Sequence, residues 1–210
     1  MNPTLRLQVL IDKISLLMPV ILMGLLALGS YWLYQHTPIA KENKRKVVLS
    51  SEPDYFLSDS KVPDVAAPEN AYGKETPKEG ENYAGIFAFS YGNKLPRTYI
   101  TAKLKTALKK DVTYCISFYV SLSEASKYSC NQIGANISKK EFGTDQKVHL
   151  IDQTQIQHPD NKVFNATYNW EKVCASYKAE GGEKFLTIGN FTSDQDTKYE
   201  VNKKPKDSKI

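Results

Sequence analysis

The chain has 210 residues, which is enough for one domain of ordinary size and an additional segment. Its 41% hydrophobic content and thirteen tyrosines favour a folded, strand-rich protein over a disordered one. The net charge of +5 is modest, and the basic run at residues 203–206 supplies much of it, so a solvated tail explains the charge more simply than nucleic-acid binding does.

Residues 14–34 form an apolar stretch with no group that is charged at pH 7. As a helix this stretch would be roughly 30 Å long, about the hydrocarbon thickness of a bilayer. It lacks the polar face of a buried core helix, and it lacks the short apolar run and small-residue cleavage site of a signal peptide. Tyr31, Trp32 and Tyr34 suit the membrane interface. We therefore predict one uncleaved transmembrane helix in contact with the lipid bilayer.

The helix divides the chain into further predicted segments. A short tail, residues 1–13, precedes it, and a charged linker, residues 35–52, follows it. The basic residues within 41–46 would by charge alone place the C-terminal part in the cytoplasm, but long downstream domains translocate against such a bias. The rest of the chain is predicted to be a β-domain, residues 53–196, and a basic tail, residues 197–210.

Alternation of apolar and polar residues predicts strands along the β-domain. The clearest case is residues 113–123, TYCISFYVSLS, in which large apolar side chains alternate with cysteine, serine and tyrosine. One buried face and one more polar face are typical of an antiparallel sheet. Short strands between Gly, Asn and Asp turns predict an antiparallel β-sandwich. Further strands are expected at residues 83–91, 98–104, 147–151, 169–177 and 184–190, with a short helical turn near 123–129.

Two stretches near the N-terminus resemble a known family. The sequences LALGSYWL, residues 26–33, and EPDYF, residues 52–56, are similar to the N-terminus of LptC, the lipopolysaccharide-export protein, as found in β-proteobacteria. This resemblance covers residues 1–60 and implies one inner-membrane helix, a short linker and a periplasmic β-jellyroll. The repeating amphipathic strands with which that family carries lipid have no counterpart downstream.

A second resemblance covers residues 53–192. The sequences YAGI, FYVSL and GGEKFLTIGNF, in this order and spacing, resemble a jelly-roll domain of Bacteroidetes cell-surface and OmpA-like envelope proteins. The strand that usually opens that domain has no counterpart here. The chain thus resembles a fusion with its seam near residues 50–60, and PDYF is assigned to the β-domain because the downstream resemblance is longer.

The second resemblance implies a jelly-roll-like β-sandwich that holds a ligand in the envelope. Related jelly-roll domains often bind sugars by stacking aromatic side chains on sugar rings. For Trp170 a place in the core is the favoured alternative. The candidate ligand-binding residues are Tyr72, Tyr91, Tyr119, Tyr128 and Trp170.

Three functions follow as hypotheses. The first is a non-catalytic protein anchored in the inner membrane that faces the periplasm and binds glycan or another envelope component. The alternative is an LptC-type subunit whose helix engages a membrane export complex and whose body passes lipopolysaccharide. The third is a fusion without an evolved function, in which the missing first strand leaves an open sheet edge that invites association.

No catalytic, metal or cofactor site is predicted. His149 and His158 lie in polar contexts without a nucleophile elbow, and no CxxC pair or EF-hand spacing is present. Three cysteines allow at most one intramolecular disulfide. Cys115 falls within an apolar strand pattern and is expected to be a small core residue, Cys130 and Cys174 are the candidate disulfide, and the pairing stays open.

Overall fold

The structure is a computed structural model, and it describes residues 7–11, 15–16, 47–50, 54–95, 97–141 and 154–202. Within these residues the backbone forms fifteen strands, two single-turn 3₁₀ helices and no α-helix. Every ladder between two of these strands is antiparallel, so the described part of the chain is all-β, which confirms the predicted class. The 3₁₀ helices are Pro63–Val65 and Tyr91–Asn93, and the strands are β1 (Leu7–Ile11), β2 (Ser15–Leu16), β3 (Val47–Ser50), β4 (Asp54–Phe56), β5 (Glu69–Asn70), β6 (Gly73–Lys74), β7 (Tyr83–Ile86), β8 (Tyr99–Lys103), β9 (Thr113–Leu122), β10 (Tyr128–Cys130), β11 (Ile133–Ser138), β12 (Ile156–Gln157), β13 (Glu171–Lys178), β14 (Phe185–Asn190) and β15 (Tyr199–Val201).

The strands form two large sheets and two small ones. The first large sheet has the order β13-β9-β1-β7-β4, with β2 also paired to β9, and the second has the order β12-β11-β14-β8-β3. The small sheets are β10-β15 and β5-β6. Buried residues of both large sheets, among them Ile86, Phe118 and Ile188, belong to one hydrophobic core. The two large sheets therefore share one core.

Strand β9 has the alternation that its sequence predicts. Its core-facing residues are all buried: Tyr114, Ile116, Phe118, Val120 and Leu122. The other face is more polar but is not fully solvated, because Glu75 and Lys78, from the segment at residues 57–82, contact it. Ser121 is buried there and donates a 2.5 Å hydrogen bond to Glu75, and the ammonium group of Lys78 lies 5.1 Å from the ring of Tyr119.

A second, smaller core includes residues of this segment. Phe56, Ala67 and Tyr83 are its buried members, and Tyr72 and Trp170 pack against them. The Trp170 indole N–H donates to the carbonyl oxygen of Thr76 at 2.7 Å. Since β4 pairs with β7, the residues Asp54–Phe56 of the PDYF motif belong to the first sheet.

The other predicted strands differ from the structure in extent. Strands β8, β13 and β14 lie where alternation predicts them, whereas β7 ends at Ile86 because Phe87 instead exchanges hydrogen bonds with Thr98. In place of the helical turn predicted near 123–129, a tight turn in which the Ser126 N–H donates to the carbonyl of Ser123 is followed by β10, which begins at Tyr128. The predicted strand at residues 147–151 lies outside the described residues.

The N-terminal region differs most from its prediction. Strand β1 lies between β7 and β9, where the sequence offered no strand, and β3 from the predicted linker pairs with β8. Of the predicted transmembrane segment only Ser15–Leu16 is described, and it pairs with β9; Tyr31, Trp32 and Tyr34 lie outside the described residues. In the part of the chain that the structure describes, no helix has the length and apolar character needed to span a membrane.

Candidate functional site

A polar cavity of about 360 Å³ opens where β9 ends and where β10 and β15 run beside each other. Main-chain segments from three distant parts of the sequence converge there because β15 pairs with β10 close to the end of β9. We call this feature the polar cavity, and its lining residues are Leu122, Ser123, Glu124, Ser126, Asn165, Thr167, Tyr168, Val201 and Asn202.

Glu124 supplies the carboxylate of the polar cavity. Its Oε1 accepts a hydrogen bond of 2.9 Å from the backbone N–H of Lys74. The negative charge of Glu124 raises the pKa of Tyr168, whose side chain lines the same cavity. The carboxylate is therefore held by a backbone N–H, which reduces the entropy that a ligand must remove when it binds there.

Tyr168 presents an aromatic ring at the mouth of the cavity. It is 69% exposed, which makes it the most exposed large hydrophobic side chain of the described residues. Its φ of 58° lies in the left-handed region, where a non-glycine residue costs of order 1–3 kcal/mol and where strain is often found at binding sites. The ring is thus held out towards solvent instead of packing into the core.

The two amides of the cavity are fixed by hydrogen bonds. Asn165 Nδ2 donates to Glu200 at 3.0 Å. Asn202 Nδ2 donates to the carbonyl of Ser126 at 3.2 Å, and Asn202 Oδ1 accepts from Ser129 at 3.2 Å. These bonds attach the end of β15 to the start of β10, so the cavity wall is set by strand pairing.

A cluster of four aromatic rings lies beside the cavity, and we call it the tyrosine cluster: Phe89, Tyr91, Tyr128 and Tyr199. Phe89 stacks on Tyr199 with ring centroids 4.8 Å apart, and Tyr91 stacks on Tyr128 at 6.2 Å. Tyr91 is 53% exposed and Tyr199 is 40% exposed, whereas Phe89 and Tyr128 are buried. The cluster therefore offers two exposed rings on a buried aromatic base.

Strand β15 joins the tyrosine cluster to the polar cavity. Tyr199 belongs to the cluster and Val201 lines the cavity, and Val201 is the direct cross-strand partner of Tyr128. Asn131 holds the start of this strand, since it accepts a hydrogen bond of 2.8 Å from the Lys198 N–H and donates its own N–H to the Lys198 carbonyl at 3.0 Å. The two features therefore form one continuous surface.

The predicted ligand-binding residues fall into three places. Tyr91 and Tyr128 meet in the tyrosine cluster. Tyr72 and Trp170 pack in the second core, and the backbone carbonyl of Tyr72 accepts a 2.5 Å hydrogen bond from Ser123, which lines the cavity. Tyr119 lies on the outer face of β9 between the ammonium groups of Lys78 and Lys172.

Sequence reasoning missed Glu124, Tyr168 and Tyr199. Tyr199 lies in the segment predicted to be a basic tail, although its alternation with Glu200 and Val201 is the signal of a short strand. Glu124 and Tyr168 lie in turns, where no periodic pattern marks a residue as part of a site.

The structure brings together a different pair of cysteines from the candidate disulfide, Cys130 and Cys174. Cys130 is 0% exposed in the main core, where burial raises the pKa of its thiol to about 12. The sulfur of Cys174 lies 3.2 Å from the sulfur of Cys115, so the structure places Cys115 rather than Cys130 beside Cys174. Within the described residues, no group of three or more His, Cys, Asp or Glu side chains is placed to hold a metal ion.

Comparison with protein-family models, with curated proteins and with solved structures finds no match to this chain.

Proposed function

We propose that this chain is a non-catalytic saccharide-binding protein of the bacterial cell envelope. The observation that carries the proposal is the polar cavity beside the tyrosine cluster, which is lined by a held carboxylate, two fixed amides and the exposed Tyr168. A sugar presents hydroxyl groups around its edge and an apolar face of C–H groups. Carboxylate and amide groups bind the hydroxyls, and an aromatic ring covers the apolar face.

The size of the cavity supports a small ligand. A volume of about 360 Å³ lies at the lower end of the range for small-molecule sites, which suits one or two sugar units. The exposed rings of Tyr91 and Tyr199 extend the surface beyond the cavity, so a longer oligosaccharide has a platform on which to continue.

We further propose that the β-domain is a two-layer sandwich of the jelly-roll type and that residues 14–34 anchor it as a single inner-membrane helix, with the domain in the periplasm. The shared core of the large sheets supports the sandwich, and the length and interfacial aromatics of the apolar stretch support the anchor.

A single membrane crossing has a structural consequence. It would leave residues 7–11 and 47–50 on opposite sides of the bilayer, although β1 and β3 both pair with strands of the β-domain. In the anchored form β1 and also β2, which lies within residues 14–34 and pairs with β9, would therefore be withdrawn from the first sheet. Leu122, which lines the polar cavity, is the cross-strand partner of Leu7 in β1, whereas the other residues that line the cavity lie outside that ladder.

The alternative, an LptC-type transport subunit, requires an apolar groove for lipid. In the described part the space between the large sheets is occupied by the shared core, and seven of the nine residues that line the cavity are polar or tyrosine. Lipopolysaccharide therefore serves as the competing ligand in the experiment.

The test is a calorimetric titration of the full chain in detergent micelles with a panel of envelope oligosaccharides and, separately, with lipopolysaccharide. We expect saturable binding of at least one oligosaccharide, weakened by about tenfold or more in Glu124→Gln and in Tyr168→Ala because each loses a direct contact. Tyr119→Ala is the matched control, since Tyr119 lies on the outer face of β9, and it should bind normally.

Two results would overturn the proposal. If a folded chain bound no oligosaccharide, the cavity would not be a saccharide site. If lipopolysaccharide bound saturably and free lipid A displaced it, the transport function would replace the proposed one.

A further inference from the structure

Cys115 and Cys174 lie side by side on neighbouring strands of the first sheet. In the antiparallel ladder between β9 and β13, Cys174 is opposite Ser117 and Cys115 is opposite Ser176. The two cysteines are therefore diagonal neighbours on one face of the sheet, and their sulfur atoms are 3.2 Å apart. Their side chains point away from the main core, because Ile116 and Val173, their sequence neighbours, belong to it.

The pair differs from the third cysteine in its surroundings. Cys115 and Cys174 are each half-buried, so a reagent in solution can reach them, whereas Cys130 is enclosed in the core. Burial and the neighbouring thiol of Cys115 raise the pKa of Cys174, while the charge of Lys172 lowers it. The chain thus carries two accessible thiols in contact and one inaccessible thiol, which serves as an internal control.

We propose that Cys115 and Cys174 form a site of disulfide modification, whose co-substrate is a disulfide oxidant. One thiolate of the pair attacks a sulfur of the oxidant and releases one of its halves as a thiol, which leaves a mixed disulfide on the protein. The second thiolate then attacks the protein sulfur and releases the other half. The two cysteines lose two protons and two electrons, and the oxidant is reduced to two thiols.

A disulfide between Cys115 and Cys174 would link β13, at the edge of the first sheet, covalently to β9. Strand β13 is the last strand of that sheet in the described part and hydrogen bonds to β9 alone within it. The cysteines are 59 residues apart in sequence, so the bond closes a long loop and restricts the unfolded chain. A disulfide between β9 and β13 would also oppose separation of β13 from the sheet. An edge strand such as β13 is the strand most open to pairing with another chain.

Bond formation shortens the sulfur–sulfur distance. The sulfur atoms must approach from 3.2 Å to the length of a disulfide bond, about 2.05 Å.

The experiment equilibrates the full chain with oxidised glutathione and then blocks free thiols with iodoacetamide under native conditions. Intact mass and peptide mapping identify the products. We expect loss of the mass of two hydrogen atoms and a cross-linked peptide pair that contains Cys115 and Cys174. Cys130 should become alkylated only after denaturation. Cys130→Ala should form the same cross-link, and Cys115→Ser and Cys174→Ser should each form none.

Thermal unfolding gives a second readout. The cross-linked chain should melt roughly 5–10 °C higher than the reduced chain, and this difference should vanish in Cys115→Ser. The proposal is overturned if a folded chain keeps both cysteines alkylatable after oxidation, if the reaction stops at a mixed disulfide with glutathione, or if the cross-link contains Cys130.

Discussion

The carboxylate of Glu124 occupies the space that a side chain on Gly73 would need. A Cβ atom on Gly73 would lie 1.9 Å from Glu124 Oε2, and the φ of this glycine is +130°, which favours glycine for a second reason. The neighbouring N–H of Lys74 holds the same carboxylate. The tight turn at β6 therefore determines where the charge of the polar cavity lies.

The first prediction concerns this turn. Gly73→Ala should displace Glu124 and strain the backbone, and it should lower the free energy of unfolding by about 1–3 kcal/mol while weakening saccharide binding. Chemical denaturation and calorimetric titration measure the two effects. Gly80→Ala is the matched control: its φ is also positive, at +66°, but its Cβ would meet no atom within 4 Å. Equal binding by the two variants would show that the Gly73 turn does not position the carboxylate.

The second prediction concerns the pH dependence of stability. Burial raises the pKa of Glu75 above its ordinary value of 4.5, the charge of Glu124 raises it further, and the hydrogen bond from Ser121 lowers it. The Glu75 carboxyl group therefore binds its proton more tightly in the folded chain than in the unfolded chain. The stability that this protonation contributes is full below pH 4.5 and is lost as the pH rises through the higher folded-state pKa.

The variant Glu75→Gln removes this titration and keeps an acceptor for Ser121. We expect the parent chain to gain stability relative to the variant as the pH is lowered from 7 towards 4.5, measured by urea denaturation at each pH. Glu81→Gln, at an exposed loop position, is the control for removal of one carboxylate. A parent chain that instead lost stability relative to Glu75→Gln over this range would contradict the assigned sign.

The third prediction separates binding from stability in the tyrosine cluster. Tyr91 is half exposed, so Tyr91→Ala should change the free energy of unfolding by no more than about 1 kcal/mol and should weaken binding of longer oligosaccharides. Phe89→Ala, by contrast, removes a buried ring and should cost about 3–5 kcal/mol of stability. Tyr55→Ala, an exposed tyrosine outside the cluster, is the control for binding. If Tyr91→Ala binds long and short saccharides as tightly as the parent chain does, the tyrosine cluster does not contribute to saccharide binding.

The fourth prediction concerns membrane topology. If residues 14–34 cross the inner membrane once, an epitope tag at the N-terminus should resist protease added outside spheroplasts, and a tag at the C-terminus should be digested. Immunoblotting of the two tagged chains measures this directly. Digestion of both tags would place the N-terminus on the same side as the β-domain, which is the arrangement that pairing of β1 with β7 and β9 requires.

Strand positions with a regular pattern could be predicted because they depend on local geometry. The pleat of a strand sends successive side chains to opposite faces, so the alternation in residues 113–123 was sufficient to place β9 and its buried face. Strand β11 escaped prediction because residues on both of its faces are buried, which removes the alternation. Gly134 and Gly189 face each other in its ladder with β14, and a Cβ on Gly189 would lie 2.3 Å from the ring of Tyr99, a close approach that only the assembled sheets reveal.

By itself the sequence determined the all-β class and the places of β8, β9, β13 and β14, because each follows from the local pattern of apolar residues. Only the tertiary structure decided the candidate site. Glu124, Tyr168 and Val201 come from three separate segments, and they meet because β15 pairs with β10 near the end of β9. The same holds for Cys115 and Cys174, whose contact depends on the register between β9 and β13. Register is set by burial across the whole sheet, so no short stretch of sequence contains it.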